Sequence, residues 1–364
     1  MSRVLCVVGA RPNFMKIAPI LREMDARGGF DSLLVHTGQH YDDNMSRNFF
    51  RDLDLREPDV NLGVGSASHA VQTAEVMKRI EPVILDWKPD MVLVVGDVNS
   101  TLAAALVAAK CCMRVAHVEA GLRSFDRSMP EEINRIVTDV LSDILFATEQ
   151  EAAANLKREG IGAEKIHVVG DVMVDTLLMN LGRARKSDIH RRLGLVRDYA
   201  VLTVHRPSNS DDPAVLREIL EALADLQRDV AVVFPIHPRT KKRISEFNLQ
   251  ETLRASGVRV VDPLGYLDFL GLEAGARVIL TDSGGIQEEA FTLGVPCVTL
   301  RDTTERRYTI EVGGNVLVGH DRARIVAEVR RALKRGAGAS PEPRTDRAGA
   351  ANKIVKILAG YPTT

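Results

Sequence analysis

Cysteine is scarce in this chain and carries no pattern. Of 364 residues only Cys6, Cys111, Cys112 and Cys297 are cysteine, and they form no CxxC or Cys/His ligand spacing. That argues against a disulfide-built scaffold and a zinc module. It leaves Cys6 and Cys297, inside apolar strand-like runs, as buried reduced thiols. An excess of either charge is also missing: 48 basic residues stand against 49 acidic ones, for a formal charge of −1. The electrostatic footprint of a nucleic-acid or membrane-surface binder is therefore absent, and small molecules are the expected partners. No run approaches the ~18 apolar residues of a membrane span. The amino-terminal stretch Val4 to Val8 is too short for a signal peptide before Gly9 and Pro12 break it. A cytoplasmic protein is expected.

What is present is alternation. Short apolar runs read as strands at Val4 to Val8, Ser32 to His36, Met91 to Val95, Arg114 to Val118, Ile144 to Ala147 and Ile166 to Val169. Between them lie longer periodic segments such as Asn13 to Ala26, with Phe14, Ile17, Leu21 and Met24 at helical spacing. This βαβ repetition predicts a doubly wound parallel sheet. The basic, polar stretch Arg183 to Asp188 reads as a surface linker. The alternation then restarts, with strands at Ala200 to Val204, Ala231 to Pro235, Arg259 to Val261, Val278 to Thr281 and Cys297 to Leu300. At this length two domains of under 200 residues are expected, over 1–175 and 176–345. A final amphipathic helix within 346–364 can pack back on the first.

Ligands of open α/β sheets bind beyond the carboxyl ends of the strands, where the polar candidates cluster. Thr281 to Glu289 ends a strand in Asp282-Ser283-Gly284-Gly285 and opens a helix, whose amides and positive dipole end suit a phosphate. Glu288 or Glu289, one turn in, can accept from ribose hydroxyls. Arg11, Lys16, His205 and Arg206 are cations suited to a departing pyrophosphate. His237 also lies at a strand end, ahead of a basic run, Arg239 to Arg243, that reads as a wet helix face. Asp97, Glu119 and Glu131 fall in loops on one sheet edge, where converging carboxylates can supply an acid and a base. Helix capping is the competing reading for Asp97 and Glu131. No metal-ligand cluster is present, and no metal or other cofactor is expected.

Gly9-Ala10-Arg11-Pro12 with Lys16, Gly38-Gln39-His40, Gly96-Asp97, His117 to Arg123, Pro130-Glu131-Glu132 with Asn134-Arg135, His205-Arg206, Asp282 to Glu289 and Arg301 to Arg306 share an order and spacing. In these motifs, from about residue 4 to 319, the chain resembles the non-hydrolysing UDP-N-acetylglucosamine 2-epimerases. The resemblance implies the GT-B architecture, two Rossmann-like domains with the active site in the cleft between them, and a homodimer. It implies reversible epimerisation at C2 of UDP-N-acetylglucosamine to UDP-N-acetylmannosamine, without NAD or an obligatory metal. Anti elimination of UDP gives 2-acetamidoglucal, and syn re-addition follows with a proton on the other face. Such products supply cell-surface polysaccharide precursors.

The same resemblance puts Asp97, Glu119, Glu131 and His205 at catalytic positions. Arg11, Lys16, Arg206, His237, Phe269, Ser283, Gly284, Gly285 and Glu289 fall to the UDP. Gln39, His40, Arg123, Arg135, Asp282, Arg301, Glu305 and Arg306 fall to the sugar or to the residues supporting it. Ser208 stands where many members carry Glu, and Arg307 where Pro is common, changes that keep a modified UDP-sugar substrate in play. A hydrolysing epimerase, a GT-B glycosyltransferase and a non-catalytic UDP-sugar binder are the other readings. Asp42 in place of an amide, and no arginine within Gly63 to Ser68, imply weak or no activation by a second substrate molecule.

Overall fold

The structure is a computed structural model and describes residues 1–38, 50–196, 198–335 and 342–361. The chain divides into two compact units, one of Met1–Thr176 with Asp346–Thr364 and one of Leu177–Thr345.

The first unit contains β1 (Ser2–Val8), α1 (Arg11–Arg27), β2 (Phe30–His36), β3 (Val60–Asn61), α2 (His69–Trp87), β4 (Met91–Val95) and α3 (Asn99–Lys110). It continues through β5 (Arg114–Ala120), α4 (Pro130–Leu141), β6 (Ile144–Ala147), α5 (Gln150–Arg158) and β7 (Ile166–Val168) to α6 (Val172–Ala184), within which the unit boundary falls. Among the described residues its sheet has seven strands in the order β3-β2-β1-β4-β5-β6-β7, and every pair is parallel. The central strands, such as Met91-Val-Leu-Val-Val95, are apolar at every position because helices cover both faces. The helix α3 is rich in alanine, which lets it sit close against its neighbours with most residues buried.

The second unit holds α7 (Ile189–Arg192), β8 (Tyr199–Thr203), α8 (Pro207–Ser210), α9 (Pro213–Leu226), β9 (Ala231–Pro235), α10 (Pro238–Glu246), α11 (Gln250–Ala255) and β10 (Arg259–Val261). There follow α12 (Tyr266–Ala274), β11 (Val278–Thr281), α13 (Gly284–Leu293), β12 (Cys297–Thr299), α14 (Arg307–Glu311), β13 (Asn315–Leu317) and α15 (Arg322–Lys334). Its six described strands run β10-β9-β8-β11-β12-β13, also all parallel. On one face of that sheet Leu202, Phe234 and Leu280 join Leu220 of α9 and Val329 of α15 in one core.

The chain then returns to the first unit as α16 (Ala350–Leu358). Ile354, Val355 and Leu358 are buried on one side of that helix. Its start has Gly349 in the cap position and no side-chain cap of its own; Asp175, far away in sequence, accepts from the amides of Gly349 (2.6 Å) and Ala351 (2.8 Å) instead.

Two readings from sequence are corrected here. The stretch Arg183 to Asp188 is at the surface as expected, with Arg183, Arg185, Lys186 and Asp188 exposed, but it begins inside α6, which runs on through the buried Ala184. Arg and Lys are good helix formers and favour a helix carboxyl end, so a basic run does not mark a break. β3 and β13 are additional strands, of two and three residues.

Candidate functional site

In both sheets the first strand sits beside the fourth (β1 with β4, β8 with β11), so the connections leave in opposite directions and open a crevice at the strand ends. The candidate residues of each unit gather around its own crevice.

In the first unit, α1 begins directly after β1. Asn13 fixes this turn: its Oδ1 accepts from the amides of Gly9 and Ala10 (3.0 Å each), and its Nδ2 donates to the Val95 carbonyl at the end of β4 (2.9 Å). One turn on, the buried Lys16 pairs through Nζ with Glu119 Oε2; the two side chains are 7% and 3% exposed. Glu119 is reached by a fault in the sheet. β5 runs past Val118 to Ala120 with a register shift between them, and Glu119 takes φ 70°. Such a bulge re-aims a side chain, and a non-glycine residue in the left-handed region is a strained arrangement that its surroundings must hold.

Asp97 follows β4 and does not cap the next helix: Val98 holds that place, without a side-chain bond. Asp97 Oδ2 instead accepts from Arg135 Nη1 (2.5 Å), and its carbonyl accepts from Asn134 Nδ2 (2.9 Å). Arg135 is buried and also donates to Glu132 Oε2 (2.7 Å). Glu132 in turn accepts from the amides of Ser124 and Phe125 (3.0 Å each). Burial works against the charge of Glu132, but the Ser124 amide and Arg135 outweigh it and hold its pKa below the ordinary carboxylate value. Glu131, the neighbouring acid, is half-buried in the first turn of α4. Glu119, expected in a loop, lies within β5; it faces Lys16, and Asp97 faces Arg135.

In the second unit Asp282 is fully buried at the end of β11. Its Oδ2 accepts from the amides of His205 and Arg206 (2.9 Å each) and from Asn209 Nδ2 (3.2 Å), while Oδ1 lies 2.8 Å from His205 Nδ1. Burial pushes its pKa up, but His205 and the two amides prevail and hold it at about 2. The arrangement aims the part-exposed His205 ring and leaves its Nε2 for a ligand. His237 is exposed, with its ring 5.8 Å from that of His205.

Ser283 caps α13, its Oγ accepting from the Ile286 amide (3.5 Å). Gly284 gives Glu305 room: a Cβ there would lie 2.1 Å from Glu305 Oε1, so a larger residue must displace that carboxylate. Glu305 itself holds Arg301 (2.9 Å), with Arg206 at 3.8 Å, and Arg306 stands 3.7 Å from Glu288. Glu289 is buried in α13, and Gly285 is half-buried at its first turn.

Other candidates are placed elsewhere. Phe269 is buried on α12. Arg123 turns away to Asp139 (2.7 Å) and Glu159 (2.6 Å). Arg11 is half-exposed as the first residue of α1. Ser208 and Arg307 are exposed. Gln39, His40 and Asp42 lie outside the described residues. Sequence reasoning quoted Asn134 in a motif but gave it no role, and it passed over Asn13, Asn209 and Asp139; their amides and carboxylate position the rest. Their one signal is placement: Asn209 falls one helical turn after His205, and Asp139 one turn after Arg135.

The family model described as UDP-N-acetylglucosamine 2-epimerase matches residues 22–359. A UDP-N-acetylglucosamine 2-epimerase of Methanocaldococcus jannaschii is 48% identical over 330 residues, spanning 89% of this chain and 90% of that protein. A UDP-2,3-diacetamido-2,3-dideoxy-D-glucuronate 2-epimerase of Pseudomonas aeruginosa is 45% identical over 91% of this chain and 92% of its own. Among solved structures, the M. jannaschii UDP-GlcNAc 2-epimerase in complex with UDP-GlcNAc and UDP matches with a TM-score of 0.92 and 46% identity, over 98% of this chain and 99% of that one.

Proposed function

This chain belongs to the UDP-N-acetylglucosamine 2-epimerase family, and on that premise we propose that it is an isomerase interconverting UDP-N-acetylglucosamine and UDP-N-acetylmannosamine. In the forward step the C2–H and C1–O bonds break, a C1=C2 double bond forms, and UDP departs. On return UDP re-adds to C1 and C2 receives a proton on its other face.

The two crevices divide this work. In the second unit His205, aimed by Asp282, and Arg206 meet the diphosphate at the capped start of α13, where oriented amides and cations stabilise the charge of the leaving group. Ser283, Gly284, Gly285 and Glu289 complete the nucleotide contacts, with His237 and Phe269 around them. Asp97, Glu119 and Glu131 exchange the C2 proton. Lys16 acts on Glu119 and Arg135 on Asp97, holding each carboxylate in one orientation.

The observation that carries this reading is the buried Lys16–Glu119 pair on a strained strand bulge. Two charges taken out of water are costly, and a left-handed glutamate adds to that cost. A sheet needs neither, whereas an enzyme that must aim a carboxylate does. We further infer cytoplasmic operation, supported by the four unpaired cysteines, and a homodimer, supported by the family resemblance and testable by sedimentation equilibrium. Products of this kind feed assembly of surface polysaccharide.

Proton NMR in D2O tests the function. The expected result is the manno epimer, UDP-N-acetylmannosamine, with deuterium at C2. Turnover of a 2,3-diacetamido uronate instead would move the substrate assignment, and free N-acetylmannosamine would make the enzyme hydrolytic. UDP-sugar binding with no exchange at C2 would overturn catalysis altogether.

A further inference from the structure

Beneath the acids of the first unit lies a polar bridge that the proposed proton transfers do not use. His117, on β5 two residues before Glu119, is fully buried, as is Asp139 on α4. Its Nδ1 lies 2.7 Å from Asp139 Oδ1, and its Nε2 lies 2.8 Å from the carbonyl oxygen of Gly96, the residue before Asp97. The other oxygen, Asp139 Oδ2, accepts from the amide of Gly121 (3.1 Å) and faces Arg123 (2.7 Å), which Glu159 also holds. A carbonyl oxygen can only accept, so Nε2 must carry a proton. A carboxylate with Arg123 and an amide on one oxygen acts as an acceptor at the other, so Nδ1 must carry one as well.

The bridge ends at residues in the left-handed region. Gly96, Glu119 and Gly121 all have positive φ, at 69°, 70° and 81°. Neither glycine admits a side chain: a Cβ at Gly96 would meet Lys16 Nζ at 2.6 Å, and one at Gly121 would meet the Ala152 carbonyl at 2.3 Å. Strained conformations persist only where neighbouring contacts over-determine them. Here those contacts run from Gly96 through His117 and Asp139 to Gly121, spanning the loop of Asp97 and the bulge of Glu119.

We propose that His117 is a positioning residue, doubly protonated and fixed, whose two donated hydrogen bonds set the relative placement of Asp97 and Glu119. This rests on the epimerase reading for its consequence and on the bridge alone for its geometry. It is not a proton shuttle, because neither ring nitrogen has a lone pair to offer.

Substitutions separate the two arms. His117→Gln retains a donor toward Gly96 and loses the one toward Asp139, and His117→Asn does the reverse. Each should lower kcat by about 100-fold, the scale of a small misplacement of reacting groups. KM and the affinity for UDP should stay within about 3-fold, and the shape of the pH–rate profile should be unchanged. An unaltered kcat, or a pH profile that loses a limb, would overturn the proposal. Should both variants fail to fold, nitrogen NMR of the histidine-labelled wild-type protein decides: both His117 ring nitrogens should show a directly bonded hydrogen, and one unprotonated nitrogen would sink it. If the wild type has no epimerase activity the functional reading falls alone. The nitrogen spectrum, and faster hydrogen exchange of the Gly121 amide in His117→Gln, still judge the bridge.

Discussion

The two units repeat one strand order and equip it with opposite chemistry. At the crevice of the first, carboxylates are the working groups and cations hold them: Lys16 against Glu119, Arg135 against Asp97. At the crevice of the second, a carboxylate does the holding: Asp282 binds two amides, an asparagine and His205, and the cation and helix start are what remain to work. A shared topology therefore fixes where a site forms but not its sign. The sign comes from which side chain is buried and which is held.

That comparison can be broken in graded ways. Glu119→Gln should reduce epimerisation and C2 exchange most, by about 1,000-fold on the scale of lost acid–base catalysis, with UDP binding intact by calorimetry; a parallel loss of UDP affinity would erase the division of labour. Lys16→Met should cost activity and also stability, about 3 kcal/mol in urea unfolding, because it leaves Glu119 buried without its cation. Gly284→Val should do the reverse of Glu119→Gln, weakening UDP at least about 10-fold through displacement of Glu305 while the first unit's structure is unchanged.

The smaller effects concern pH and thiols. Asp282 has its pKa lowered from 3.8 to about 2. A depressed acid stabilises the fold above its unfolded value, and that contribution, about 2 kcal/mol, is lost as pH falls from about 4 toward 2. Asp282→Asn should flatten this part of the stability–pH curve relative to wild type. Burial pushes the thiols of Cys6 and Cys297 up to about 12, so a maleimide reagent should label Cys111 and Cys112 in the native protein and reach the other two only on unfolding.

Much of this architecture was legible in the sequence for a simple reason. Strands buried on both faces are continuous apolar runs, and Met91 to Val95 or Val278 to Thr281 are such runs, too short for helices. β3 was not legible, because two residues carry no period, and β13 was passed over although it is as long as β7, β10 and β12, which were read. The sequence also marked polar residues at strand ends, but it did not name their partners. Lys16 and Glu119 are over a hundred residues apart, and nothing local distinguishes a lysine bound for a phosphate from one bound for a carboxylate. The bulge at Glu119 was invisible too: the strand pattern reads as ending at Val118, whereas β5 runs on through Glu119 to Ala120.

The return of the chain as α16 has a consequence for synthesis. The second unit is one continuous stretch, Leu177–Thr345, whereas the first is interrupted by it and completed only by the helix that Asp175 caps. On a ribosome the earlier-started unit is therefore the later-finished one. Its sheet emerges first but must wait, with the groove for Ile354, Val355 and Leu358 open, until the whole of the second unit has been made. A nascent chain stalled before residue 346 should hold a protease-resistant second unit beside a first unit still open to cleavage.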